Sequence, residues 1–466
     1  MKRNFPLILV LLLFMCSKNP TSPSISKYQY LMSVVKPKVE EYRGLSFLRE
    51  VHLALMSRSQ YAASRYSGSS QTTDLYSVEL KQLGFIPDTM ENLGGTVDSY
   101  NENFAAAFYV PGTDSIYIIN PDNYESVDFE FYLAHELTHA LQEQHFNPFT
   151  PYIYPTLSQS ASNSDFYLSQ LNVIEGDASL SGYLYLINEY TDISENELAE
   201  TFFSECEDFY KNISTVEVPR YLDITRKSPY ILGQYFVAVN KLAQGWKAVN
   251  KCYHSVRVSS TAEIITGRSR PMVLFDFSKL YPVLLEDTRK LKFADDDTHG
   301  PIMLMALISQ YTDAEHCKNA FGWCGDRIFY VCKDDQKYGS FVWALGFLTE
   351  EDAAYMMDAF DKLLSNRRFS NTSPERISSS ANSITFTLPE ITTTVLKQGT
   401  TILWIENLPN PMQVAELILP EVLAKSRTGK TDYSTLPKEE KWKLLRENMG
   451  RHQFRMDQFQ LKCSGN

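Results

Sequence analysis

Apolar residues recur every four positions at Leu133, Leu137 and Leu141, with no glycine or proline between them, and predict a helix over residues 131–145. Asn120-Pro121-Asp122-Asn123 upstream supplies turn and capping chemistry. A second helical run is predicted over residues 164–189, and helices continue to about residue 250. Just before the first of these, the β-rich runs 105–110 and 115–119 flank Pro111-Gly112-Thr113-Asp114 and read as a hairpin. Residues 27–83 read as mostly helical, most clearly at Leu45, Leu48, Val51 and Leu55. Beyond residue 290 the pattern predicts a helix at 299–310, strands at 327–331 and 340–345, and a helix opening at Glu350 with carboxylates in its first turn. A polar loop at 366–382, strands at 383–388 and 401–406, and a charged helix at 436–456 complete the chain. The fold class is α+β and mostly helical, with a small C-terminal α+β module.

The ends and the composition add a compartment. Lys2 and Arg3 precede an apolar run, 5–15, that is too short to span a bilayer and has the shape of a signal peptide. It stops at Cys16, and the polar stretch after it reads as a tether over 16–27. Leu13 suits a lipoprotein signal in which Cys16 is lipidated, although Phe14 and Met15 are bulky for one. The expectation is a protein anchored in the cell envelope by an N-terminal lipid, or else secreted. Six cysteines remain: Cys206, Cys252, Cys317, Cys324, Cys332 and Cys463. An even number outside the cytoplasm suits disulfides, whose pairing the sequence does not select, and no CxxC spacing suggests a zinc cluster. The net charge of −12, without a basic run, argues against a nucleic-acid partner. With 466 residues and 44% hydrophobic content, the chain can build a sizeable core in two parts, 28–290 and 291–466.

The first predicted helix contains His135-Glu136-Leu137-Thr138-His139, an HExxH motif. Side chains four apart share one helix face, so His135 and His139 can aim two imidazoles at one metal ion, with Glu136 beside it as a base. That is the layout of a zinc hydrolase. Two residues compete as third ligand. His145 has metzincin spacing, but Gln142 stands where those proteins have the glycine that turns the chain back. Glu175, on the second predicted helix, gives the gluzincin arrangement and is preferred. In zincins the edge strand beside this helix binds extended peptide by strand addition, a role open to the hairpin. Tyr230, Tyr235 or His254 could steady an oxyanion. Asn172 and Ser179 are favoured as residues supporting the ligands, whereas Asp177, two positions from Glu175, points away and is set aside. Asp295-Asp296-Asp297 reads as a solvated acidic loop rather than a calcium site.

These blocks, in this order, resemble a family of secreted bacterial and archaeal zinc metallopeptidases with a HELTHALQDQHF signature. The likeness spans about 75–350. Leu80-Lys81-Gln82-Leu83-Gly84-Phe85 is similar to the family's opening segment, and Ala107-Phe108-Tyr109-Val110-Pro111 to its GFYDP hairpin. Residues 135–146 follow the central motif, and Glu175-Gly176-Asp177-Ala178 matches EGDA. Pro229-Tyr230 with Gly233, Phe236 and Trp246 resembles PYxxGxxF…GW, and Gly322-Trp323-Cys324-Gly325-Asp326-Arg327 resembles GWGGDR. The resemblance implies Glu175 as the third ligand. The chain departs at residues 260–267, where the family carries STEQILHP and Thr266 stands in place of a histidine. The expected protein is a zinc-dependent peptidase acting on peptide or protein, with Zn²⁺ on His135, His139 and Glu175 and Glu136 as base. The rival reading is a non-catalytic zincin scaffold that binds peptide, wall polymer or a partner protein.

Overall fold

Gly44, at a φ of +71° that costs a glycine little, ends the first helix, Pro23–Arg43 (α1). The computed structural model describes residues 23–421 except 66–70, 92, 94, 98–105, 120–125, 149–162, 214–218, 254–257, 285–290, 334–337, 370–371 and 419. After Gly44 the chain does not resume a helix through Leu45, Leu48, Val51 and Leu55, contrary to the periodicity. Residues His52–Met56 form a strand (β1) instead, and a helix, Gln71–Leu83 (α2), comes later. The reason is tertiary: β1 adds in parallel to a strand of the hairpin, with Leu55 opposite Ile118. There Val51, Leu53 and Leu55 reach the apolar cluster of that sheet.

The hairpin itself lies at Ala107–Val110 (β2) and Ser115–Ile119 (β3), antiparallel, with Tyr109 opposite Ile116. The sheet order β1-β3-β2 leaves β2 at an edge. Behind it runs the HExxH helix, Ser126–Phe146 (α3), whose Leu133, Leu137 and Leu141 are fully buried against Ile116, Ile118 and α1. Three long helices come next: Ser164–Tyr190 (α4), Glu195–Lys211 (α5) and Arg220–Gln244 (α6). Both α3 and α6 pack against α4.

Beyond residue 290 a seven-stranded antiparallel sheet takes shape. Its strands are Leu291–Asp297 (β4), Trp323–Lys333 (β5), Ser340–Phe347 (β6), Glu375–Ser380 (β7), Ser383–Leu388 (β8), Ile391–Gln398 (β9) and Thr401–Glu406 (β10), in the order β4-β5-β6-β10-β9-β8-β7. Helices Gly300–Ser309 (α7) and Glu350–Asn366 (α8) share with it the large apolar cluster that also holds α4 and α6. Two expectations fail here. Residues 375–380 are an edge strand, not loop, because a fully exposed Ser-rich strand carries no hydrophobic alternation. Asp295, Asp296 and Asp297 lie on β4 rather than in a solvated loop. Asp295 and Asp297 are buried, and Asp296 holds Arg327, its Oδ1 2.8 Å from Nε.

Helix and strand are thus both present, with helix in excess. The cysteine expectation is corrected: Cys206, Cys252, Cys317, Cys324 and Cys332 are buried free thiols, and no disulfide joins them. Among the described residues no helix is long and apolar enough to cross a membrane. The signal region with Cys16, residues 16–22 of the predicted tether, the turn at 120–123, His254, the helix at 436–456 and Cys463 all lie outside the described residues, while residues 23–27 of that tether are helical and open α1.

Candidate metal centre

One turn apart on α3, His135 and His139 set their rings edge to face, centroids 4.8 Å apart. Their Nε2 atoms are 3.1 Å from each other, and Glu175 Oε2 on α4 lies 3.2 Å from one and 3.4 Å from the other. Among the described residues these three form the one group of histidine, cysteine and carboxylate side chains able to hold a metal ion. The donor set can be tested. Ligands about 2.0–2.1 Å from a tetrahedral Zn²⁺ stand roughly 3.3 Å apart, and the three edges here agree. Two imidazoles and one carboxylate, with a fourth position left open, are also the donors of known catalytic zinc sites.

Charge favours a cation. Burial opposes a charge on His139, but the Glu175 carboxylate prevails and raises its pKa to about 9. Burial alone would raise Glu175, yet the two imidazoles hold it well below the ordinary carboxylate range. Glu136, 7% exposed, lies beside the three, its pKa raised by burial. It accepts a hydrogen bond from the backbone N–H of Tyr109, so the outer edge of β2 faces the cluster. Tyr230 covers the other side. Its ring is about half exposed and stacks on His135 with centroids 6.1 Å apart, while its hydroxyl bonds to Glu175. Desolvation and the charges of Glu175 and Glu136 hold that phenol well above its usual pKa.

Behind the ligands lies a chain of contacts that the sequence pattern does not announce. Gln142, read in the sequence only as the residue in place of a glycine, is fully buried and places its Oε1 2.9 Å from His139 Nδ1. Its amide nitrogen donates to Ile174 O at 2.9 Å and Asp177 Oδ2 at 3.2 Å, which fixes the amide orientation. This holds a proton on His139 Nδ1, so the ring, once it gives up its other proton, presents the Nε2 lone pair to the cluster. Asp177, set aside in the sequence, anchors this chain. It takes the Arg43 guanidinium side-on, Nε–Oδ1 2.7 Å and Nη2–Oδ2 3.0 Å, with both side chains fully buried. It also accepts from Tyr253 at 2.8 Å. Arg43 stacks over Trp246 at 4.2 Å and donates to Asn250 Oδ1 at 2.8 Å.

Other assignments change. Asn172 and Ser179 are buried but do not support the ligands: the Asn172 amide donates to Leu168 O at 2.8 Å, and no hydrogen bond joins Ser179 to the cluster. His145 is not a third ligand, since its Nε2 donates to Ser46 O at 2.7 Å. Tyr235 packs near Phe203, its buried hydroxyl without a hydrogen-bond partner among the described residues. Thr266 bonds to Ala262 O at 2.7 Å, within its own short helix.

Local sequence explains the positioning. The end of α3 grips the hairpin: Glu143 accepts from Gly112 N at 2.8 Å and from the Tyr109 hydroxyl, and Gln144 donates to Asp114 at 2.8 Å. The start of α4 is fixed by β4, where Asp297 accepts from Ser164 N at 2.8 Å. Where α4 crosses α6, Gly176 and Gly233 let the backbones touch and bring Tyr230 onto Glu175. Compared with models of protein families, with curated proteins and with solved structures, the chain matches none of them.

Proposed function

We propose that the protein is a zinc-dependent metallopeptidase of gluzincin type, tethered outside the cytoplasm through Cys16. The observation that carries this reading is the triangle of His135 Nε2, His139 Nε2 and Glu175 Oε2, with edges of 3.1, 3.2 and 3.4 Å and Glu136 beside it. The tether rests on the sequence of residues 2–24 alone.

Bound by His135, His139 and Glu175, Zn²⁺ supplies a Lewis acid that polarises the scissile carbonyl and brings the pKa of water to about 7. Glu136, oriented by Tyr109 N–H, takes the proton of the attacking water and delivers it to the leaving amine nitrogen. Its raised pKa suits a group that must both accept and return a proton. The Tyr230 hydroxyl, protonated at any working pH, donates to the oxygen that becomes negative in the tetrahedral intermediate. The outer edge of β2, apart from the Tyr109 N–H that Glu136 occupies, aligns the peptide by adding it as a further strand.

Zinc content of the purified protein, followed by a chelator-sensitive peptide-library assay, tests the reading. About one zinc per chain with chelator-sensitive cleavage supports it. Zinc without cleavage of any peptide supports the scaffold reading instead. Glu136→Gln is expected to keep zinc and lose hydrolysis, and wild-type turnover in that variant removes Glu136 as the base.

A further inference from the structure

A further charged group stands one helical turn from Tyr230 on α6. Arg226 precedes Tyr230 by four residues on α6, so the two side chains share a helix face. It is half-buried. The acid nearest in sequence, Asp223, is already engaged, 2.7 Å from Lys227 Nζ. Elsewhere Arg43, Arg49, Arg327, Arg367 and Arg376 each hold a carboxylate. Arg226 has no hydrogen bond or ion pair among the described residues, and the group on which its charge acts there is the Tyr230 hydroxyl.

A guanidinium that has given up part of its water without gaining an acceptor is in an unfavourable state, which a bound anion relieves. Its planar fork of N–H donors matches a carboxylate bidentately. The setting makes the charge conspicuous, since the chain is acidic overall. We infer that Arg226 forms an anion subsite beside the His135–His139–Glu175 cluster and binds a carboxylate of the substrate, either its C-terminus or an acidic side chain. This rests on the reading of the cluster as a peptide hydrolase. Substrate then docks with its carboxylate on Arg226 and its scissile bond between Tyr230 and Glu136.

The test uses zinc-loaded full-length protein and four peptides of one sequence: neutral and amidated, neutral with a free C-terminus, glutamate-bearing and amidated, and the glutamine equivalent of the last. The expected result is that one of the two anionic peptides is favoured about tenfold in kcat/KM over its neutral match, the scale of a charge-assisted hydrogen bond. In Arg226→Gln the ratio falls to about one, and in Arg226→Lys it is partly kept. The free-acid arm identifies a C-terminal carboxylate, and the glutamate arm an acidic side chain. Equal rates for anionic and neutral peptides, or a preference that survives in Arg226→Gln, overturns the subsite. Should no peptide be cleaved, the hydrolase reading fails, and calorimetric titration of Glu136→Gln with the same peptides still decides the subsite. Tighter binding of an anionic peptide, lost in Glu136→Gln/Arg226→Gln, supports it, and equal binding overturns it.

Discussion

Gly176 and Gly233 meet at the crossing of α4 and α6, so closely that a Cβ on Gly176 would lie 2.3 Å from the Gly233 carbonyl. The reverse substitution would put a Cβ 2.2 Å from Asn172 O. Both obstacles are backbone, so neither yields by a rotamer change. This contact sets the distance between the helix that carries Glu175 and the helix that carries Tyr230.

Gly233→Ala is therefore expected to lower stability by about 1–3 kcal/mol through overpacking and to weaken zinc binding at the same time, because α6 must retreat from Glu175. Thermal melts and a zinc competition titration on one sample check both. An unchanged Tm would mean that the two helices are not in contact in solution.

Gln142→Ala should reduce zinc affinity about 10- to 100-fold, the scale for residues that orient a metal-binding histidine. It removes the acceptor at His139 Nδ1 and takes away the side-chain donors to Ile174 O and Asp177 Oδ2. A titration against a chromophoric chelator gives the affinity. A loss under about threefold would separate Gln142 from the cluster.

Asp177→Ala strands the Arg43 guanidinium, 0% exposed, without its counter-charge. The expected cost is about 3–5 kcal/mol. Removing both charges in Arg43→Met/Asp177→Leu should cost less than Asp177→Ala alone, which urea melts of the two proteins would reveal. The opposite ranking would mean that the Arg43 side chain stabilises mainly through Trp246 and Asn250.

Glu205 supplies a pH prediction away from the cluster. Burial lifts its carboxyl to about 7 against the donated hydrogen bond from Gln234, with Asp208 nearby adding to the rise. The folded protein thus holds this proton more tightly than the unfolded chain does. The stabilisation is complete below the unfolded pKa of about 4.3 and disappears as the pH climbs through about 7. Wild type should lose Tm relative to Glu205→Gln between those limits and run parallel to it above them. A difference constant with pH would contradict the shift.

The α3 helix is legible in the sequence because Leu133, Leu137 and Leu141 bury one stripe of it, while His135 and His139 sit on the turn between. The α4 helix is buried nearly all round rather than along one stripe, and its N-cap, Asn163, accepts from Phe166 N as its residue type suggests. What escapes is set by distant partners. Leu45 to Leu55 keeps a helical spacing, but β3 offers Leu55 a parallel neighbour that no local pattern announces. The Thr-rich strand β9 is missed because hydroxyls mask its β-branched character. Asp177 is set aside by counting helix positions from Glu175, which says nothing of Gln142 approaching from another helix. One clue is present in the sequence: Gln142, Glu143 and Gln144 are all polar near the end of a helix whose neighbouring turns are buried, and each has a partner.

The union of Arg43 with Asp177 and Asn250 spans 134 and 207 positions of chain. Synthesis from the N-terminus thus delivers the guanidinium long before either acceptor exists, and loops of that length close late in folding. A nascent polypeptide ending before Trp246 already contains every proposed ligand along with Gln142, Asp177 and Arg43, yet lacks Trp246, Asn250 and Tyr253, which hold Arg43 and Asp177 in place, so it should bind the ion weakly. Ion capture in that sense waits for the chain to pass residue 253.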